Sequence, residues 1–140
     1  DVHNLGSILR VAECAGADGV VIPKSGSASV TESVIRISAG AAEHIKVARV
    51  TNLGAAVETL KKNGYWVYAL EAGGEDLYAE DFSGNVALVV GGEDSGVRRL
   101  TKEKCDKVLS IPLYGKVNSL NASVALGIAV YEAARRRRQS

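Results

Sequence analysis

Residues 86–96 read Val-Ala-Leu-Val-Val-Gly-Gly-Glu-Asp-Ser-Gly. An unbroken apolar run that stops at paired glycines is the pattern of a strand covered on both faces, and such strands belong to parallel sheets. Outward from it, Gly19–Ile22, Lys46–Val50, Trp66–Leu70 and Lys107–Ile111 repeat the pattern, each short and bounded by Gly, Pro or Asn. Between these runs apolar residues recur at helical spacing. Helices are predicted over Leu5–Ala15, Thr31–His44, Leu53–Lys62 (stopped by Asn63-Gly64), Val97–Cys105 and Asn121–Arg137. Strands alternating with helices predict an α/β fold, a mostly parallel sheet flanked by helices.

The chain has 140 residues, enough for one core and one domain. With 46% hydrophobic and 24% charged residues it is neither disordered, collagen-like nor a coiled coil. Seventeen Lys and Arg against sixteen Asp and Glu leave a net charge of +1, so any nucleic-acid contact has to be a local patch. The longest apolar run, Ala122–Tyr131, is broken only by Ser123 and Gly127 and is too short to cross a membrane. Cys14 and Cys105 make no disulfide framework and read as free thiols of a reducing compartment. No secretory leader is recognisable, and a cytoplasmic location is expected. The chain opens on Asp1 and contains no Met, so an upstream piece is expected to be missing from it.

The last helix is unusual. Ala122–Val130 is apolar on nearly every face, which predicts burial on more than one side, by other chain segments or by a second subunit. A homodimer is the expected form.

In open parallel sheets ligands bind at the carboxyl ends of strands. Three predicted strands run into glycine-bearing segments there: Glu71-Ala72-Gly73-Gly74, Gly91 to Gly96, and Pro112-Leu113-Tyr114-Gly115. Together they predict a small-molecule pocket built largely of backbone groups. Familiar sites are missing. The 91–96 segment lacks the Lys-Ser/Thr of a phosphate loop, no Gly-x-Gly-x-x-Gly follows the first strand, and no Gly-x-Ser-x-Gly elbow is present. His3 and His44 are the only histidines and no Cys-x-x-Cys exists, so no metal is expected. What remains is polar residues at element ends: Asn4, Arg10, Glu93 and the run Asn118-Ser119-Leu120-Asn121. Singly, Asn4, Ser119 and Asn121 read as helix N-caps and Arg10 as a surface ion-pair partner. The Ser-Leu-Asn run holds more polar groups than one cap requires.

Three stretches carry a resemblance. Asn-Leu-Gly-Ser-Ile-Leu-Arg (Asn4–Arg10), Leu-Val-Val-Gly-Gly-Glu-Asp-Ser-Gly-Val-Arg-Arg-Leu (Leu88–Leu100) and Ile-Pro-Leu-Tyr-Gly-Lys-Val-Asn-Ser-Leu-Asn-Ala-Ser-Val-Ala (Ile111–Ala125) resemble, in order, the three motifs of the SpoU (TrmH-like) RNA 2′-O-ribose methyltransferases of the SPOUT superfamily. The likeness covers nearly the whole chain, and the branch it most resembles methylates a guanosine ribose of large-subunit rRNA; related branches act on tRNA. The resemblance implies that residues 1–140 form a catalytic domain with a deep C-terminal trefoil knot, a topology general rules make very rare. It also implies a strand ahead of the Asn4 motif and, in many members, a small RNA-binding domain, both expected to be missing from this chain. The implied cofactor is S-adenosylmethionine, with Gly91, Ile111 and Leu120 as main contacts and Leu70, Gly92, Leu113 and Ser119 as neighbours.

The implied reaction is in-line attack of a ribose 2′ oxygen on a sulfonium methyl, which needs alignment, a dry site and loss of the hydroxyl proton. Arg10 matches the family's essential arginine, its proposed activator of the hydroxyl. Arginine keeps its proton and is a poor base, so a clamp on the adjacent phosphate that also stabilises the developing alkoxide is the alternative role. Asn4, Glu93, Ser119 and Asn121 are expected to orient Arg10 and the ribose, with Glu93 a possible ion-pair partner of Arg10. RNA contact is expected from Arg98, Arg99, Lys102, Lys104 and Lys107 and from Arg135–Arg138, though the last also suit a helix C-terminus. Two rival readings stand: a knotted dimeric RNA-binding scaffold with little catalysis, and an ordinary nucleotide-binding α/β domain.

Overall fold

The structure is a computed structural model and describes residues 2–24, 32–91 and 96–138. The chain divides into two compact units, Asp1–Leu53 and Gly54–Ser140.

The first unit opens with helix α1 (Val2–Cys14), followed by strand β1 (Gly19–Pro23), helix α2 (Glu32–Ile37), a 3-10 turn at Ala41–Glu43 and strand β2 (Lys46–Val50). β1 and β2 pair in parallel, Gly19 opposite Lys46 through Pro23 opposite Val50. Leu5, Leu9 and Ala12 form one face of α1 and are buried with Ile22, Val34 and Ile45. Gly6 marks the closest approach of α1 to α2, since a Cβ there would lie 2.6 Å from Ile37 Cγ2. Gly16, at φ +83°, ends α1: its amide reaches Glu13 O and that of Ala17 reaches Ala12 O, a Schellman closure.

The helix predicted over Thr31–His44 is shorter than expected. Its closure has the same form, Ala39 N–H to Arg36 O and Gly40 N–H to Ile35 O, with Ala39 and Gly40 both at positive φ. Buried Ser38 secures the break, its hydroxyl donating to Ile35 O and accepting from Ala42 N–H.

The second unit holds helix α3 (Leu53–Lys62, beginning at the boundary), strand β3 (Tyr65–Asp76), a 3-10 turn at Leu77–Ala79, strand β4 (Asn85–Val89), helix α4 (Arg99–Lys104), strand β5 (Lys107–Ser110) and helix α5 (Ala122–Arg138). The sheet order is β4-β3-β5, all parallel. The parallel α/β expectation therefore holds, but the described strands form two sheets, β1-β2 and β4-β3-β5, where one was expected, and element ends move by a few residues. One strand differs more. β3 does not stop at Leu70 but resumes pairing at Glu75, and both residues stand opposite Leu109. Residues 71–74 form a bulge within a strand rather than a loop after it. Gly73 at φ +83° turns the chain, and Gly74 lets the backbones close, since a Cβ on it would lie 2.5 Å from Val108 O.

The core of this unit is Val67, Ala69, Leu77, Phe82 and Leu109, with Leu126, Ala129 and Ala133 of α5 also buried. Phe82 meets Tyr68 edge to face at 5.5 Å. The expectation that α5 is buried on more than one side is not met within this chain: it buries one stripe, leaving Val124 50% and Tyr131 49% exposed. Among the described residues no helix is long and apolar enough to cross a membrane.

Candidate functional site

With β4 and β5 parallel to β3 on either side, all three carboxyl ends lie along one edge of the second unit's sheet. Leu70 there is buried and pairs with Leu109. Past β4 comes Gly91. A Cβ on Gly91 would overlap the Gly96 carbonyl and the Val97 amide, so only glycine lets the two ends of this segment touch. Gly92 and Glu93, predicted as cofactor and catalytic residues, lie outside the described residues.

One carboxylate secures the far end of that segment. Glu71 accepts the Val97 N–H at 2.9 Å on one oxygen and the Lys102 ammonium at 2.7 Å on the other. The Lys102 hydrogen bond, helped by that of Val97, holds the Glu71 carboxyl below its ordinary range against the opposing effect of burial. In the sequence Glu71 stands out only as part of a glycine-bearing segment. Its signal was an acid at a strand bulge with a lysine on a neighbouring helix, which sequence spacing does not reveal.

Past β5, residues 111–121 are neither helix nor strand. Ile111 is half-buried, whereas Leu113 and Leu120 are 40% and 41% exposed and Ser119 is exposed. This stretch offers an apolar ledge and backbone groups outside any ladder. Asn121 is the N-cap of α5, its Oδ1 accepting from Ser123 N–H at 2.9 Å, Ser123 Oγ at 2.6 Å and Val124 N–H at 3.4 Å. Of the candidates for that cap it is Asn121, not Ser119, that caps.

Asn4 and Arg10 belong to the first unit. Asn4 is not an N-cap: α1 begins at Val2, so Asn4 lies within its first turn, half-buried. Arg10 is exposed on the same helix.

The basic cluster differs from expectation. Arg99 faces Glu103 at 3.0 Å, Lys102 faces Glu71, Lys104 faces Glu58 at 2.8 Å and Lys107 faces Glu80 at 2.9 Å. Arg135 and Arg136 both hold buried Glu132, at 2.9 and 3.1 Å. Each of these cations thus stands beside a carboxylate that offsets part of its charge, while Arg99 and Arg135 remain largely exposed. Arg98 and Arg138 are exposed. An open cleft of about 640 Å³ lies at the other end of β4, lined by Asp81–Asn85, Arg136 and Arg137. Its arginines are committed to protein oxygens, Arg136 to Tyr78 O and Arg137 to Gly84 O, which argues against it as the reaction site. Cys105 is no nucleophile: burial raises its thiol to about 11.

The SpoU rRNA Methylase family profile matches residues 1–131. The chain is 51% identical over 138 residues to the 23S rRNA (guanosine-2′-O-)-methyltransferase RlmB of Xanthomonas axonopodis pv. citri, an alignment covering 98% of this chain and 55% of that protein. Among solved structures it is similar to the SpoU methyltransferase AviRb of Streptomyces viridochromogenes in complex with AdoMet, with TM-score 0.91, 29% identity, and coverage of 100% of this chain and 58% of that one. It is also similar to the A. aeolicus TrmH/SpoU tRNA modifying enzyme, with TM-score 0.89, 29% identity, and coverage of 99% and 71%. The chain thus spans little more than half the length of the RlmB relative. With all three motifs inside the matched residues, the chain belongs to the SpoU rRNA methylase family.

Proposed function

We propose that this chain is the catalytic part of an S-adenosylmethionine-dependent RNA 2′-O-ribose methyltransferase, acting on an rRNA guanosine or, in the related branch, on tRNA. The observation that carries the reading is the strand order β4-β3-β5, which brings the ends of β4 and β5, each running into one of the motifs, to the same side of the sheet as the bulge in β3. The residues there suit the cofactor. Gly91, having no Cβ, lets Gly96 and Val97 close against it, and Ile111, Leu113 and Leu120 give apolar surface for an adenine and a methionine chain. Leu70, Gly92 and Ser119 complete the proposed cofactor set. Bound S-adenosylmethionine would supply an electrophilic methyl group on a sulfonium centre.

The protein's part is alignment, exclusion of water and management of one proton. Arg10, exposed as an RNA-facing group must be, clamps the phosphate beside the target ribose and stabilises the developing 2′ alkoxide. Asn121, whose Oδ1 is engaged in the cap, presents its amide N–H groups as hydrogen-bond donors. Asn4, Glu93 and Ser119 complete the proposed catalytic set. We further propose the trefoil knot, formed by the irregular 111–121 stretch and α5, and a homodimer, since Val124 and Tyr131 leave an apolar strip on α5. The setting is cytoplasmic. Sedimentation at micromolar concentration gives a dimer on this account; a monomer contradicts it.

Calorimetric titration with S-adenosylmethionine, then methyl transfer to total RNA, tests the function. Saturable binding followed by transfer is expected. Binding without transfer favours the scaffold reading, and binding of NAD alone favours the ordinary nucleotide-binding domain.

A further inference from the structure

We propose that Glu71 is a positioning residue for the cofactor-binding segment after β4: its carboxylate holds that segment's closing end against Gly91. The proposal rests on the reading of this edge as the S-adenosylmethionine site.

The geometry begins with the bulge. A bulge re-aims side chains that a regular strand would send elsewhere. Glu71 is the first residue of the bulge, which lies between Leu70 and the resumed pairing at Glu75. From there its two oxygens engage two different elements, the backbone amide of Val97 and the ammonium of Lys102 on α4. Glu71 and Lys102 are only 26% and 34% exposed, so the pair is partly shielded from water. Gly96 sits against the same carboxylate at φ +65°, and a Cβ on it would stand 3.0 Å from Glu71 Oε2. On its other side Gly96 touches Gly91.

Past β4 the backbone at Gly96–Val97 comes back against Gly91, and one carboxylate holds it there. Fixing Gly96 and Val97 against Gly91 ahead of binding lowers the ordering cost that falls on these backbone groups when a ligand meets them. Without the Glu71 contact the Val97 amide loses its partner and Lys102 its counter-charge. The pinch then opens, and its cost falls on cofactor binding rather than on methyl transfer itself.

The test titrates S-adenosylmethionine into the wild-type chain and into E71A, E71D and E71Q, with hydrogen exchange read at the Val97 amide. E71A is expected to weaken binding about tenfold or more and to speed Val97 exchange. E71D, one methylene short of bridging both partners, is expected to behave similarly. E71Q keeps an acceptor for Val97 and is expected to stay within about threefold of wild type. With RNA as second substrate, the KM for S-adenosylmethionine rises in E71A while kcat and the KM for RNA stay within about threefold, a split that general destabilisation does not produce. A wild-type chain that binds no S-adenosylmethionine overturns the site reading and this role with it. Wild-type binding with unchanged affinity in E71D, or in a folded E71A, overturns the role alone, as does a loss in E71Q equal to that in E71D.

Discussion

Arg10 and Gly91 carry opposite kinds of information. Arg10 is an exposed cation on α1 whose chemistry suits a phosphate and an alkoxide. Arg10→Ala should reduce methyl transfer at least a hundredfold while S-adenosylmethionine affinity stays within about threefold, by single-turnover transfer and calorimetry. Transfer near the wild-type rate would remove Arg10 from the chemistry. Gly91 acts by having no side chain. Gly91→Ala should weaken S-adenosylmethionine binding about tenfold or more, because its methyl would occupy the space of the Gly96 carbonyl. At this scale the sequence was partly legible. Paired glycines after a valine run pointed to a close backbone approach. Asn121 at the head of an apolar helix was recognisable as a cap, and its hydrogen bonds bear that out. Asn4 as a cap was a wrong expectation, since α1 begins earlier and a single polar residue cannot report which turn it occupies. Glu71 was not legible as an anchor at all, because its partners Val97 and Lys102 come close only through the bulge in β3.

Elements follow the same division. All five strands and the positions of the helices were readable from apolar period, although β2 and β4 are at most half-buried. Two departures came from local chemistry that period does not encode. Ser38-Ala39-Gly40 ends α2 early by satisfying its last carbonyls, and Gly73-Gly74 folds a bulge into what looked like a loop. The arginine run of α5 looked like an RNA-binding tail, yet Arg135 and Arg136 close on Glu132 from the following turn. Hydrogen bonds from Arg135, then Arg136, hold the Glu132 carboxyl below its ordinary 4.5 although burial opposes this. A carboxyl with a lowered folded-state pKa contributes stability that is present above its unfolded value and lost as pH falls through the folded value. Glu132→Gln should therefore lower stability by about 1.5–3 kcal/mol at neutral pH, and the gap from wild type should shrink as pH falls below about 4.5. Denaturant melts of both proteins over that range check it; a gap independent of pH would mean the ion pair contributes little.

For the whole molecule, the α/β architecture and parallel pairing were legible, and membership of the family rests on three motifs in order. Composition concealed how charge is used. A net charge of +1 is compatible with RNA binding only through local patches, and the patch most evident in sequence is internally paired. RNA recognition on this account draws on exposed cations such as Arg10 and Arg98, on a second subunit, or on portions of the relatives' length that this chain does not span. The most direct test of the central claim is to incubate the protein carrying this chain with methyl-labelled S-adenosylmethionine and unmodified ribosomal RNA, then identify the labelled nucleoside by mass spectrometry. The account predicts label on the ribose 2′ oxygen of a single guanosine; label on a base, or none on RNA despite bound cofactor, would contradict it.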